Sequence, residues 1–356
     1  MFERRLQEVR RHLEKSGLDA LLVSHLPHVR YLTGFSGSSG LTIITPRGQY
    51  FLTDNRYRQQ SKTEVVGFAI VVSSDTLFQA ARKHGILHGK KRIGFESQYL
   101  SVASFENLRK LFPSATFVSK RSVIENIAAV KDESEIEVIK RAAAITDRVF
   151  KKVLGILKPG VRELDVSAEI SYWHQRYGAD GDAFESIVAS GPRGALPHGR
   201  ATEKTICRGE LVTLDFGCTY KGYNSDLTRT VAVGKPAERA KRIYKTVLEA
   251  QLKAIEATQP GVTARSLDRV ARSHIRRKGF GKYFTHSLGH GLGIEIHEPL
   301  RLSVKSKDVV KEGNVFTIEP GIYIQGFGGV RIEDDVVVRE TGCEVITKSP
   351  KELIIL

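Results

Sequence analysis

The sequence predicts a two-domain α/β protein (α+β overall), with an N-terminal α/β domain over residues 1–127 and a C-terminal domain over 128–356 made of two similar halves. Three observations carry this. A chain of 356 residues is long for one hydrophobic core, since cores stop growing at roughly 250–300 residues. The first 127 residues alternate helical and strand periodicity. Beyond them, a unit of long helix, Pro-Gly-Val, second helix and strands occurs twice, with its turns at Pro159-Gly160-Val161 and Pro260-Gly261-Val262.

The elements follow in order. The chain opens with a helix through Leu18, and Ala20 to Val23, Leu41 to Ile44 and Tyr50 to Thr53 read as strands. Gly34 to Gly40 is a Gly/Ser turn entering a strand; it lacks the Gly-Lys-Ser/Thr ending and the strand-to-helix setting of a phosphate loop. The second domain begins near Lys131-Asp132-Glu133-Ser134, where Asp or Ser caps a helix and Glu135 supports its first turn. Ile136, Ile139, Ala143, Phe150, Val153 and Leu157 give that helix one apolar face, and Pro159-Gly160 stop it. A second long helix runs from about Ala237 to Ala257, and helices with Leu164-Asp165 and Leu267-Asp268 follow the two Pro-Gly-Val turns. Two halves folded against each other leave a cleft, a common home for a site.

Composition narrows the function classes. The apolar content, 41%, is that of a globular protein. The charged N-terminus lacks the apolar run of a secretory signal, and no stretch approaches the roughly 18 apolar residues of a membrane span. A cytoplasmic protein with no membrane partner is expected. Three scattered cysteines, Cys207, Cys218 and Cys343, without CxxC spacing, suit a reducing compartment. The net charge of +15 would also suit a nucleic-acid binder. The basic residues, however, are spread along the chain in short runs, such as Arg272 to Lys278 and Lys90-Lys91-Arg92, and fit no helix-turn-helix, zinc-finger or RNA-recognition pattern. A solvated basic surface is the better reading, and nucleic acid is not expected as a partner.

The chemistry concentrates in the C-terminal domain. Leu211 to Gly217 reads as a strand with Leu211, Thr213 and Asp215 on one face. After a turn-rich stretch containing Lys221-Gly222-Tyr223, a second strand begins at Ser225-Asp226. Eleven residues separate the two aspartates, which suits a hairpin holding them side by side. Two carboxylates so placed repel each other and resist desolvation unless a cation sits between them. In the second half, His286, His290 and His297 fall within twelve residues, among glycines that let a ligand approach the backbone. This is not the HExxH helix, because Pro299-Leu300-Arg301 follows His297-Glu298. Val315 to Gly321 is a strand with Glu319 on the face of Val315 and Thr317, and Gly329 to Asp334 opens another with Arg331 and Glu333 sharing a face. Two Asp, two Glu and one His carry four negative charges, which two divalent cations would balance. Oxygen-rich ligation with one imidazole favours manganese, cobalt, zinc or iron(II) over copper. Two such ions about 3.5–4 Å apart would bring the pKa of a shared water from about 15.7 towards neutrality and so supply hydroxide.

Together these segments resemble the metallopeptidase family with the pita-bread fold, which includes methionine aminopeptidase, prolidase (Xaa-Pro dipeptidase) and Xaa-Pro aminopeptidase. The resemblance runs from about residue 130 to the end. It implies a metal set of Asp215, Asp226, His290, Glu319 and Glu333, with Glu319 doubling as proton shuttle. It implies that His198 and His297 hold the substrate carbonyl and the tetrahedral intermediate, that His286 lines the substrate pocket, and that Tyr323 and Arg331 support metals and substrate from behind. Val330-Arg331-Ile332-Glu333-Asp334 and the long N-terminal segment, with Tyr31-Leu32-Thr33-Gly34-Phe35-Ser36-Gly37-Ser38 and Thr53-Asp54-Asn55-Arg56-Tyr57, are similar to the proline-directed members rather than to methionine aminopeptidases. Creatinase shares the architecture but has lost the ligands. The activity implied is hydrolysis of the Xaa-Pro bond, at the N-terminus of peptides or in dipeptides, by a homodimer with two divalent ions, manganese first and cobalt, zinc or iron as alternatives. Gly199 departs from the family, where Ala often follows the first substrate histidine, and leaves the loop carrying His198 freer. Two other readings stay open: a catalytically inactive pita-bread binding module, which the basic charge favours and the intact acidic set argues against, and an aminopeptidase of other N-terminal specificity, such as methionine.

Overall fold

The structure, a computed structural model, describes residues 2–356. The chain divides into two compact units, Met1–Ala128 and Ala129–Leu356. In the first, β1 (Ala20–Val23), β2 (Leu41–Ile44), β3 (Gln49–Asp54), β4 (Ala69–Ser73), β5 (Arg92–Glu96) and β6 (Thr116–Lys120) form one sheet in the order β4-β3-β2-β1-β5-β6. Only β2 runs against its neighbours; the other pairings are parallel. β1 and β2 are buried throughout, as continuous apolar runs predict for strands covered on both faces. The first helix, α1 (Phe2–Ser16), buries Leu6, Val9 and Leu13 along one stripe. It is followed by α2 (Leu26–Thr33), α3 (Arg58–Glu64), α4 (Leu77–Lys83), α5 (Val102–Leu111) and α6 (Val123–Ala128).

The second unit starts with α7 (Glu133–Leu154), where Asp132 accepts from the Glu135 amide and Glu135 returns to the Asp132 amide. Such a capping box satisfies two orphan donors and is worth about 1 kcal/mol. The helix ends at Leu154, earlier than Pro159: Gly155 and Ile156 bond to the Lys152 and Val153 carbonyls, tightening the last turn, and Leu157 is buried from the loop beyond. α8 (Glu163–Arg176), α9 (Glu238–Glu256) and α10 (Ala264–Arg277) follow the expected grammar.

In the first half of this unit, α7 and α8 cover two antiparallel sheets. The smaller has β7 (Gly181–Asp182), β10 (Cys218–Tyr220) and β11 (Tyr223–Asn224), in the order β11-β10-β7, and the main one has β8 (Ile187–Ser190), β9 (Glu210–Phe216) and β12 (Leu227–Val233), in the order β12-β9-β8. Phe150, Val153, Val166, Ile170, Leu214 and Val231 form the core between them. In the second half, α9 and α10 pack Val247, Leu267 and Ile275 against Phe316, Val330 and Val336. The sheet there has β13 (Gly289–Gly291), β14 (Glu298–Leu302), β15 (Val315–Ile318), β18 (Asp334–Val338) and β19 (Cys343–Val345), in the order β14-β13-β15-β18-β19, beside the hairpin β16 (Gly321–Ile324) and β17 (Gly328–Arg331). Each buried large apolar side chain contributes about 1.5–3 kcal/mol, so each half has its own driving force.

Two local readings are corrected by the register. β9 and β12 pair with Thr228 opposite Asp215 and Leu227 opposite Phe216, so Asp226 stands just before β12 rather than within it, and β10 and β11 fill the connection. Gly217 makes this possible, because a Cβ there would lie 1.8 Å from the Ser225 carbonyl oxygen. Arg331 and Glu333 do not share a strand. Arg331 ends β17, paired with β16, while β18 pairs with β15; between them Glu333 N–H donates to the Thr228 carbonyl of the other half. The chain changes partners at Ile332, so simple alternation does not govern this step. Among the described residues no helix is long and apolar enough to cross a membrane.

Candidate metal centre

The residues singled out from the sequence meet at a cavity of about 430 Å³ within the second unit. Asp215, Asp226, His290, Glu319 and Glu333 all line it, as do His198, His286, His297 and Arg331. Asp226, His290 and Glu333 offer ligand atoms that lie within 4.8 Å of one another. His290 Nε2 is 3.7 Å from Asp226 Oδ2 and 3.6 Å from Glu319 Oε1. Asp215 joins through Arg331, whose Nη2 donates to Asp215 Oδ2 at 2.5 Å. Tyr323 does not reach the cavity wall itself. Its hydroxyl lies behind, 2.8 Å from both His286 Nε2 and Arg331 Nη1.

Each side chain is aimed by a local device. His290 Nδ1 lies 3.1 Å from the Gly291 carbonyl, so that nitrogen carries the proton and Nε2 presents its lone pair to the cavity. The His290 amide bonds Thr317 Oγ1, whose hydroxyl donates to Glu319 Oε1 at 3.4 Å. Gly289 allows this approach, since a Cβ would sit 1.9 Å from the Thr317 carbonyl oxygen. Thr228 Oγ1 accepts from Arg331 Nε and donates to Glu333 Oε2 at 2.5 Å. His286 donates through Nδ1 to the Ser287 carbonyl, accepts from Tyr323 through Nε2, and Tyr323 in turn accepts from Arg331.

The electrostatics are those of an acid-rich pocket short of positive charge. Asp215, Asp226 and Glu333 are only 8, 5 and 2% exposed. Burial first, and then repulsion from Glu333 and Asp215, push Asp226 well above the usual carboxylate range, and Glu319 is raised by burial and Glu333 in the same way. Glu333 is pushed up to about 8 by burial and Asp215. His290 and His286 are pushed down to about 3 and about 4, chiefly by burial, and so are neutral imidazoles at physiological pH. Asp215 Oδ1 and Asp226 Oδ1 are buried without any hydrogen-bond donor. Orphaned buried oxygens are rare and need a partner outside the chain. Hard oxygens, one lone-pair imidazole and excess negative charge fit divalent cations of the manganese, cobalt, zinc or iron type.

Several residues of this site carried no local signal in the sequence. Asp335 Oδ2 accepts the Asp226 amide at 2.9 Å and holds the turn before β12, from a position 109 residues away. Thr228 and Thr317 act through single hydroxyls that no motif distinguishes. Phe184, Ile187 and Ile296 form apolar wall, while Arg200, paired with Glu185 at 3.0 Å, and Arg301 stand at the cavity too. Beside it, Lys131 and Glu298 form a buried ion pair that secures the turn before β14, with Glu298 Oε1 accepting the Ile294 amide at 3.1 Å.

Comparison with known proteins gives the family. Residues 137–340 match the model of metallopeptidase family M24, and residues 5–130 that of the creatinase/prolidase N-terminal domain. The chain is 39% identical over 352 residues to the Xaa-Pro dipeptidase of Pyrococcus horikoshii, covering 98% of each chain. A solved structure described as an Xaa-Pro dipeptidase from Bacillus anthracis superposes with a TM-score of 0.97 at 42% identity, covering 100% of both chains. Another, described as an X-Pro aminopeptidase from Thermotoga maritima, gives 0.91 at 38% identity, covering 96% of this chain and 98% of that one. These matches bear out the expected fold and the family resemblance. The chain belongs to metallopeptidase family M24 and is an enzyme of that class.

Proposed function

We propose that this enzyme hydrolyses Xaa-Pro bonds of short peptides, with dipeptides preferred, using two divalent cations held by Asp215, Asp226, His290, Glu319 and Glu333. The observation that carries the reading is the meeting of four carboxylates and one lone-pair imidazole, from both halves of the second unit, at one cavity. When bound, the cations supply Lewis-acid charge and make water a nucleophile near neutral pH. Glu319 takes the proton released in the attack and passes it to the leaving proline nitrogen. His198 and His297 face the cavity as the groups that hold the substrate carbonyl and the tetrahedral intermediate, and His286 lines the pocket in its neutral form. Tyr323 and Arg331 hold His286, Asp215 and, through Thr228, Glu333 in place.

Specificity is read from the remaining wall. Phe184, Ile187 and Ile296 suit an apolar, rigid ring such as proline. Arg301 has an exposed guanidinium without an ion pair among the described residues, and a free C-terminal carboxylate is the group it would match. That favours dipeptides, in line with the names of the relatives from Pyrococcus and Bacillus, whereas the Thermotoga name points to longer peptides. Manganese, a homodimer and catalysis confined to residues 128–356 belong to the same proposal.

The test is to strip the protein with chelator, restore manganese, cobalt, zinc or iron in turn, and follow cleavage of Ala-Pro beside Ala-Pro-Ala and Met-Ala-Ala. Cleavage of Ala-Pro in preference to Ala-Pro-Ala is expected. Preference for Ala-Pro-Ala would make the enzyme an Xaa-Pro aminopeptidase, and preference for Met-Ala-Ala would overturn proline specificity. Failure to bind any metal would overturn the site.

A further inference from the structure

Glu163 lies in the first turn of α8, outside the cavity, and its side chain is fully buried. A buried carboxylate is tolerated only when its oxygens are well satisfied, and here both are taken up by the two ends of a single loop. Oε1 accepts from the amide and the hydroxyl of Ser190, each at 2.8 Å. Oε2 accepts from the amide of Thr202 at 3.1 Å and its hydroxyl at 2.8 Å. Arg193 Nε, inside the loop, bridges both oxygens at 3.3 and 3.0 Å, and Arg193 Nη2 donates onward to the Arg200 carbonyl at 2.5 Å. Lys204 adds an outer tie, donating to Ser190 Oγ and Glu210 Oε2 at 2.7 Å each.

The segment between these ends, residues 191–201, carries His198. That histidine is exposed and its side chain makes no hydrogen bond among the described residues, so its position is set by the loop backbone alone. From the cavity side the loop has two further side-chain ties, Arg331 Nη1 to the Pro197 carbonyl at 3.1 Å and the exposed Arg200 Nε to Glu185 Oε2 at 3.0 Å. Gly199 gives the loop freedom that these ties remove.

We infer that Glu163 is a positioning residue for His198: by closing both ends of the 191–201 loop on one carboxylate, it fixes where the imidazole meets the substrate carbonyl. The inference rests on the role proposed above for His198. A carboxylate is required because both its oxygens accept. Glutamine at this position has nearly the same shape but one acceptor oxygen, and its NH2 group would face the donors of either Ser190 or Thr202, releasing one end of the loop. Aspartate is a methylene too short to reach both ends.

The experiment compares Glu163→Gln, His198→Ala and the double variant, all metal-restored, for kcat and KM on Ala-Pro. Amide hydrogen exchange across residues 190–202 is measured in parallel. A displacement of about 1 Å can cost up to about 100-fold, so Glu163→Gln is expected to lower kcat about 10- to 100-fold with KM little changed, and to speed exchange in that segment. The double variant should lose no more than His198→Ala alone, since there is no imidazole left to misplace. Unchanged kcat in Glu163→Gln, or losses that multiply in the double variant, would overturn the inference while leaving the site reading intact. Wild-type kinetics in His198→Ala would instead overturn the role of His198 itself. If Glu163→Gln does not fold, Arg193→Gln is read by the same cycle: a loss that vanishes in the His198→Ala background supports the inference, and no loss, or one that multiplies, overturns it.

Discussion

Removing the cations should make the second unit lose stability as the pH rises between about 6.5 and 8, the reverse of what a salt-bridged carboxylate does. Glu333 is the group from which the size can be worked. Burial and the neighbouring Asp215 raise it from the ordinary 4.5 to about 8. Between those values the folded chain keeps a proton that the unfolded chain has released, so the unfolded state binds fewer protons and stability falls by about 1.36 kcal/mol per pH unit. His286 and His290, lowered to about 4 and about 3, act in the opposite sense, because their folded forms are neutral where the unfolded ones are protonated. Their contribution rises with pH only up to the ordinary histidine value of 6.5 and is flat above it. The window above 6.5 therefore isolates the acids. Across about 1.5 pH units Glu333 alone costs about 2 kcal/mol, or about 4–8 °C in melting temperature for a unit of this size. Asp226 and Glu319, also pushed well up, add with the same sign. The assay is thermal denaturation of chelator-stripped and metal-restored protein at steps of pH through this window. Bound cations hold the carboxylates ionised, so the restored protein should show little slope and the gap should widen with pH. Glu333→Gln should make the stripped protein's slope shallower, leaving the share of Asp226 and Glu319. A stripped protein whose melting temperature is level or rises through the window would refute the electrostatic account of the site.

Four further outcomes are expected. Asp226→Asn and Glu319→Gln should each lower peptidase activity by several orders of magnitude while circular dichroism stays native, because each removes a charge from the cation set or the proton carrier. Arg301→Gln should raise KM for Ala-Pro with kcat little changed and narrow its advantage over Ala-Pro-Ala; an unaltered ratio would count against Arg301 as the carboxylate partner. Gly289→Ala places a Cβ 1.9 Å from the Thr317 carbonyl and should lower the melting temperature, at a cost of at least about 1–3 kcal/mol. Thiol titration of the native chain should show Cys207 reacting fast, with Cys343 slower and Cys218 silent until denaturant is added, because Cys207 is exposed while burial holds the Cys218 thiol up at about 11.

The readable part of this molecule is the part written in short segments. The capping box at Asp132 and Glu135, the apolar stripe of α7, and the two Pro-Gly-Val turns are local patterns, and the structure has them where periodicity and turn chemistry place them. The acids and histidines were legible because residue type and motif identify them one segment at a time. What lay beyond reach depends on which segments meet. Asp335 supports Asp226 across the two halves, Thr228 stands between Arg331 and Glu333 through a register that pairs β9 with β12, and Arg301 comes to the cavity because β14 pairs beside His290. Alternation misplaced Arg331 and Glu333 on one strand because it carries no information about a chain that leaves one sheet for another at Ile332. The early end of α7 at Leu154 is a smaller failure of the same kind, since Leu157 is buried whether or not it is helical.

The charge balance of the site bears on the alternative of an inactive binding module. Asp226 and Glu333 offer atoms within 4.8 Å of each other, a separation at which two ionised carboxylates repel by about 3.5 kcal/mol even at an effective dielectric of about 20. Arg331 is the buried cation that faces them, while Arg200 and Arg301 at the cavity are exposed to solvent; Arg229, also buried nearby, is committed to Asp334 and to the carbonyls of Ser349 and Pro350. One guanidinium cannot neutralise four carboxylates, and its nearest bond is to Asp215. Without cations the unit would have to keep protons on several of these acids at neutral pH, and replacing any one by its amide would relieve the repulsion at no loss of shape. A chain under no demand to hold metal gains nothing from acids at all four positions. Two divalent cations, as proposed, would supply the missing positive charge and give the orphaned oxygens of Asp215 and Asp226 a partner, so the same residues that burden the empty fold are the ones the proposed loaded enzyme would need.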